Sequence, residues 1–168
     1  MSLRINLCCG ETHFDGYVNI DAYPLPGVDV VCDARELQYA EGTVDEVVMF
    51  HAIEHFTLDD ACMLVRRIFT WLKPGGHLLI EAPDVIKTVK NAPANTDDFE
   101  LVQCIFGDIV ELRKGKEGYQ HKWGWTGPLM HNELVSAGFL VGNIEDGISH
   151  PGHEWRDFRV TGFKPKAV

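Results

Sequence analysis

The sequence predicts an α/β fold built on a mostly parallel sheet, and three observations carry that prediction. Short apolar runs recur along the first half of the chain, each closed by a small residue or a carboxylate. At least one long segment between them has helical periodicity instead. Strands that alternate with helices pair in parallel through crossovers, which defines this fold class.

The elements follow in order. Arg4-Ile5-Asn6-Leu7-Cys8-Cys9-Gly10 is a strand that runs into a small-residue turn, and Tyr17-Val18-Asn19-Ile20-Asp21 is a second strand ending on a carboxylate. Val28-Asp29-Val30-Val31-Cys32-Asp33 is a third strand with the same ending, and residues 43–50 form a fourth. Thr57 then stands as a helix N-cap, with Asp59 and Asp60 in the first turn where carboxylates favour the helix dipole. Ala61, Leu64, Val65, Ile68, Phe69 and Leu72 recur at helical spacing until Pro74-Gly75-Gly76 stops the helix. His77-Leu78-Leu79-Ile80-Glu81-Ala82 is the fifth strand. Residues 96–112 read as a helix weakened by Gly107, and residues 113–127 as a glycine-rich, basic and aromatic loop. Residues 128–137 form a short helix with proline near its start and Gly138 after its end. Residues 139–145 and 155–163 read as two closing strands joined by a loop or wide hairpin.

With 168 residues the chain is expected to form one domain. A net charge of -10 argues against general nucleic-acid binding, which needs clustered Lys and Arg. No apolar run reaches the length of a membrane span, and no basic segment followed by a long apolar stretch marks a signal peptide. The opening Met-Ser-Leu reads equally as native or as a cloning scar. Five cysteines, two of them adjacent and none in C-x-x-C spacing, read as thiols of a reducing, cytoplasmic compartment.

A tight turn followed by carboxylates at the ends of neighbouring strands is how an open α/β sheet binds a nucleoside. The strings Ile5-Asn6-Leu7-Cys8-Cys9-Gly10, Gly16-Tyr17-Val18-Asn19-Ile20-Asp21, Val30-Val31-Cys32-Asp33-Ala34, Val44-Asp45-Glu46-Val47-Val48, His51-Ala52-Ile53-Glu54-His55-Phe56, Leu72-Lys73-Pro74-Gly75-Gly76 and Ala137-Gly138-Phe139 span nearly the whole chain. In this order they resemble the class I methyltransferases that use S-adenosyl-L-methionine, most closely the small, stand-alone type-11-like group. The resemblance implies a Rossmann-like, seven-stranded sheet with the last strand antiparallel. It also implies a cofactor site at Asn6, Cys8, Gly10, Asp21, Ala22, Asp33, Ala34, Leu37 and His51. In that scheme Gly10 lets the backbone approach the methionine part. Asp21 accepts from the ribose hydroxyls and Asp33 from the exocyclic amine of adenine, while Ala22, Tyr23 and Leu37 pack on the purine. His51 follows the fourth strand, where the transferable methyl is expected.

Two departures from the family pattern stand out. Cys8 replaces the first glycine of the turn. Only ten residues separate Gly10 from Asp21, so the usual first crossover helix is shortened or absent. Its loss opens one face of the sheet, which a partner or a second copy in a homodimer would cover.

Each site residue also has an ordinary reading. Asp21 and Asp33 serve equally as turn residues that bind backbone amides. Cys8 and Cys9 read as packing residues. His51-Ala52-Ile53-Glu54-His55 matches H-x-x-E-H, an inverted zinc-hydrolase pattern. That chemistry needs both histidines on one continuous helix plus a third ligand, whereas helix capping begins only at Thr57, so no metal is expected. His55 reads as a packed histidine, and His51 as either a turn or a pocket residue. Lys114, Lys116, Tyr119, His121, Lys122, Trp123 and Trp125 form either a solvated loop or a substrate lid suited to a small, acidic, sugar-like acceptor. His51 and His121 are the candidate catalytic bases, ahead of Asp84 and Glu54. The competing function is a methyltransferase-fold binding module or subunit without turnover.

Overall fold

The computed structural model describes residues 2–115 and 117–166. They form one eight-stranded sheet: β1 (Arg4–Leu7), β2 (Val18–Asp21), β3 (Val30–Val31), β4 (Val44–Phe50), β5 (Leu72–Pro83), β6 (Leu140–Val141), β7 (Glu145–Asp146) and β8 (Asp157–Phe163). The main path runs β3-β2-β1-β4-β5-β8-β6. Strands β1 to β5 pair in parallel, and β8 is antiparallel to β5. The expected closing strand over residues 139–145 is realised in two pieces, because β6 and β7 both pair with β8.

Register explains where the core sits. Ile5, Val47 and Leu78 lie side by side across β1, β4 and β5, and Met49, Ile80 and Val160 form the next row. All are buried. Helix α1 (Leu58–Trp71) covers this face with Ala61, Leu64, Val65, Ile68 and Trp71. Thr57 caps α1 by accepting from the Asp60 amide at 3.2 Å. The helix ends one residue earlier than its periodicity suggests. Leu72 opens β5, and Pro74-Gly75-Gly76 lies in an irregularity of that strand rather than behind the helix.

The opposite face is different. The β1–β2 connection holds no helix. Phe14 and Tyr17 from that connection stand in for one, with Phe14 ring-to-ring against Phe50 at 5.7 Å. The Asn6 side chain donates to the Thr12 carbonyl and to Asn19 Oδ1, at 2.8 and 3.0 Å, and so ties the connection to the sheet.

The second half departs further from the sequence pattern. The helix expected over residues 96–112 is two: α3 (Asp98–Phe106) and α4 (Ile109–Arg113). Gly107 breaks it at φ +100°, where a Cβ would collide with the Tyr119 carbonyl oxygen. Helix α2 (Val85–Asn91) was not expected, although Asp84 caps it by accepting from Ile86 and Lys87 amides. Helix α5 (Gly127–Ser136) begins at Thr126, with Pro128 in its first turn. Lys116 lies outside the described residues.

Glu81 locks β5 to β8. It is fully buried and faces Arg159 across the register. Arg159 Nε and Nη2 both lie 2.8 Å from Glu81 Oε2, and the Ser149 amide donates to Oε1 at 2.6 Å. Burial opposes the charge, but His51 and Ser149 hold the carboxyl well below its ordinary 4.5. Stability from such a group is complete above the unfolded-state value and is lost as acid carries the pH down through the folded one. Glu81→Gln should therefore cost about 3 kcal/mol near neutrality. Wild type should lose stability more steeply than the variant between pH 5 and pH 3 in urea unfolding, and parallel acid slopes would contradict this assignment.

Candidate functional site

The strand order reverses at β1, which lies between β2 and β4, and ligands bind outside the carboxyl ends of strands at such a point. A cavity of ≈ 360 Å³ opens there. Cys8, Gly10, Asp21, Ala22, Asp33, Ala34 and His51 line it, joined by Tyr23 and Arg35. The loop after α4 closes the far side with Gly118, Tyr119 and Lys122, and His55 and Phe56 complete that wall. Its volume lies in the range typical of small-molecule sites.

Asp21 organises the floor. Its Oδ2 accepts from the Gly10 amide at 2.8 Å and its Oδ1 from the Tyr23 amide at 2.9 Å. Both oxygens keep a lone pair for a further donor. Gly10 has φ +52°, and a Cβ there would meet nothing within 4 Å. The space beside it is thus free for a ligand. Cys8 has φ +57°, the left-handed conformation a glycine would take without strain. Burial, then the Asp21 and Asp33 carboxylates, pushes its thiol well above the ordinary range, so it stays protonated.

Asp33 lines the cavity and is also engaged by a neighbour. Arg35 engages it with its backbone amide at 2.9 Å and with its guanidinium, Nη2 lying 2.6 Å from Oδ2. That contact lowers the Asp33 carboxyl. Three Arg35 donors thus engage both of its oxygens, which leaves Asp33 fewer free lone pairs than Asp21. Leu37 is a core residue that lines neither this cavity nor the neighbouring one, and Asn6 lines the neighbouring one. That second cavity, of ≈ 720 Å³, lies on the face uncovered by the missing helix. Val48, Phe50, Leu79 and Arg159 form part of its floor, and it shares Cys8, Gly10 and His51 with the first.

His51 stands at the junction, again with a left-handed backbone, φ +49°. Its Nε2 lies 3.3 Å from Asp157 Oδ2 and 3.8 Å from Glu81 Oε1, and Nδ1 lies 3.7 Å from Glu54 Oε1. These are ion-pair contacts, since Nε2 makes no aligned hydrogen bond. Burial favours the neutral ring, but the carboxylates outweigh it and raise the pKa to about 9. His51 is therefore a cation at neutral pH. His150 stacks on it at 4.0 Å between ring centroids. Glu81, His150 and Asp157 carried no sequence signal because two of them arrive from the far end of the chain.

The other candidates do less at the cavity. His121 lines neither cavity; it packs edge-on against His55 at 5.1 Å, and burial lowers its pKa. Asp84 is spent on the α2 cap and on the Gly127 amide at 2.9 Å, which excludes it as a free base. Trp125 is a core residue whose ring is no sugar platform, whereas Trp123 is exposed. The H-x-x-E-H string divides between the end of β4 and the 3-10 turn Ile53–His55, so it forms no zinc-hydrolase helix.

Comparison with known proteins agrees with this geometry. Residues 17–80 match the family model described as "Methyltransferase domain". No curated protein sequence matches the chain. A methyltransferase dependent on S-adenosylmethionine from Mesorhizobium loti superposes with TM-score 0.63 at 17% identity, covering 96% of this chain and 90% of that one. The Burkholderia thailandensis 1,6-didemethyltoxoflavin-N1-methyltransferase, solved with its substrate and S-adenosylhomocysteine, gives 0.65 at 15% identity, covering 98% and 72%. A complex between the Haloferax volcanii Trm112 methyltransferase activator and a methyltransferase gives 0.65 at 14%, covering 98% and 83%. Such identities show a shared fold. The family match over residues 17–80, the sheet order and the cavity at its switch point together give this chain the fold of S-adenosylmethionine-dependent methyltransferases.

Proposed function

We propose that this chain transfers the methyl group to a small, sugar-like acceptor bearing an anionic group, on oxygen or nitrogen. The observation that carries the reading is the cavity floor, where Asp21 is anchored by two backbone amides and still offers lone pairs beside the open space at Gly10. The bound cofactor supplies an already activated methyl, so the protein's task is positioning. Asp21 holds the ribose, Ala22 and Ala34 border the adenine, and Arg35 shares that edge with Asp33. Cys8, Gly10 and His51 border the methionine end. Tyr119 and Lys122 restrict the acceptor to one that fits beneath their loop, and Lys122 favours a negative charge. His51, fixed by Glu54, Glu81 and Asp157, orients the acceptor against the methyl. His121, set back from the cavity, takes no part in proton transfer.

One observation favours a second reading. The bare sheet face carries the larger cavity and touches the site through Cys8, Gly10 and His51. A partner seated there would complete the fold, and a structural neighbour is a complex with a methyltransferase activator. In that reading the chain alone binds the nucleoside and turns over only with its partner.

Two sets of variants test the assignments. By calorimetry with S-adenosylhomocysteine, Asp21→Asn should weaken binding at least about tenfold, whereas Asp33→Asn should change it less than about threefold because Arg35 already occupies that carboxylate. Larger losses at Asp33 than at Asp21 would reverse the two roles. His51→Asn keeps a residue suited to the left-handed backbone. It should lower kcat at least about tenfold and leave nucleoside affinity within about threefold. Unchanged turnover on an accepted substrate would remove His51 from the reaction.

A further inference from the structure

Beside the cavity the 3-10 turn and the basic loop bring together three side chains, of which the function above uses only Glu54, through its Oε1 contact with His51. Glu54, His55 and His121 each offer one ligand atom, and these atoms all lie within 4.8 Å of one another. The Glu54 side chain is 3% exposed, and its Oε2 is buried with no hydrogen-bond partner among the described residues. A buried carboxylate oxygen without a donor is costly unless something positively charged completes it.

Backbone carbonyls hold both imidazoles through Nδ1. His55 Nδ1 lies 3.1 Å from the Gln120 carbonyl oxygen, and His121 Nδ1 lies 3.2 Å from that of Ile105. A carbonyl only accepts, so each Nδ1 carries the proton and each Nε2 keeps its lone pair. Metal-bound histidines are held in this way, with the other ring nitrogen donating to a carbonyl. Backbone contacts fix the partners relative to each other: the Lys122 amide donates to the Glu54 carbonyl at 2.8 Å, and the His121 amide to that of Phe106 at 3.1 Å. A neighbouring trio, His51, His150 and Asp157, lacks these features, because Arg156 already holds Asp157 at 2.7 Å.

We infer that Glu54, His55 and His121 form a binding site for one divalent first-row transition ion, of the two-histidine, one-carboxylate kind. Three protein ligands leave coordination positions open. His55 lines the cofactor cavity, so the open side faces the place where the acceptor is expected. This deepens the proposed function, on which it rests: the acceptor would present an oxygen donor, a hydroxyl or a phosphate, to the ion. The H-x-x-E-H string then supplies two ligands from its second half, and the third comes from the loop sixty-six residues on from His55.

The full chain, stripped with a chelator, is titrated with zinc alone against a chromophoric competitor. One ion per chain is expected, with Kd below about 1 μM. Glu54→Gln, His55→Ala and His121→Ala should each weaken zinc by at least about a hundredfold, while His150→Ala stays within about threefold. Thermal unfolding identifies any variant that fails to fold, and His55→Ala, at a partly exposed position, guards against that failure. Cobalt-loaded wild type should show visible d–d bands that the same three variants lose. Substoichiometric zinc in wild type, or equal affinity in all four variants, would overturn the site. S-adenosylhomocysteine calorimetry on the same samples separates the failures: nucleoside binding without zinc ends the metal site alone, and loss of nucleoside binding in wild type ends the reading beneath it.

Discussion

The Asp21 carboxylate is the constraint on which the site depends. It joins the turn after β1 to the turn after β2 by accepting from Gly10 and Tyr23 amides. In a sheet with a full first crossover, a helix would hold that turn in place. Here ten residues make the connection, and side chains replace the helix: Asp21 at the cavity end, with Asn6 and Asn19 behind it. One group therefore shapes the cavity and, in the proposed function, holds the ribose. That economy also explains the bare sheet face, which Phe14 and Tyr17 cover only in part.

A second constraint surrounds His51. Three carboxylates, Glu54, Glu81 and Asp157, meet three cations, His51, Arg156 and Arg159, in a balanced cluster at the ends of β4, β5 and β8. Isolated buried charges would be ruinous, and paired ones specify a geometry instead. The strained backbone at His51 persists because this cluster holds it. Strands that meet from distant parts of the chain are thereby locked where the two cavities join.

The parts of this arrangement that were legible in the sequence are the local ones. The strand-ending carboxylates, the Thr57 cap, the α1 stripe and the absent crossover helix all follow from short-range patterns. What was not legible depends on distant chain meeting. Gly107 breaks the α3–α4 run because the backbone of Tyr119 presses against it, a contact with no trace in helical periodicity. Asp33 pairs with Arg35 only two residues on, yet whether an aspartate serves a neighbour or a ligand depends on which rotamer the cavity allows. Leu37 carries an apolar side chain that suits core and purine equally. The histidine string by itself indicates only packing, turn or pocket roles, whereas its grouping with His121 requires the loop to return across Glu54.

The most direct test of the central claim is a crystal structure of the chain with S-adenosylhomocysteine. The account predicts ribose hydroxyls at hydrogen-bond distance from Asp21 and the thioether sulfur at the junction bordered by Gly10 and His51. A nucleoside seated on the bare sheet face, with the Asp21 carboxylate bound only to its two amides, would contradict it.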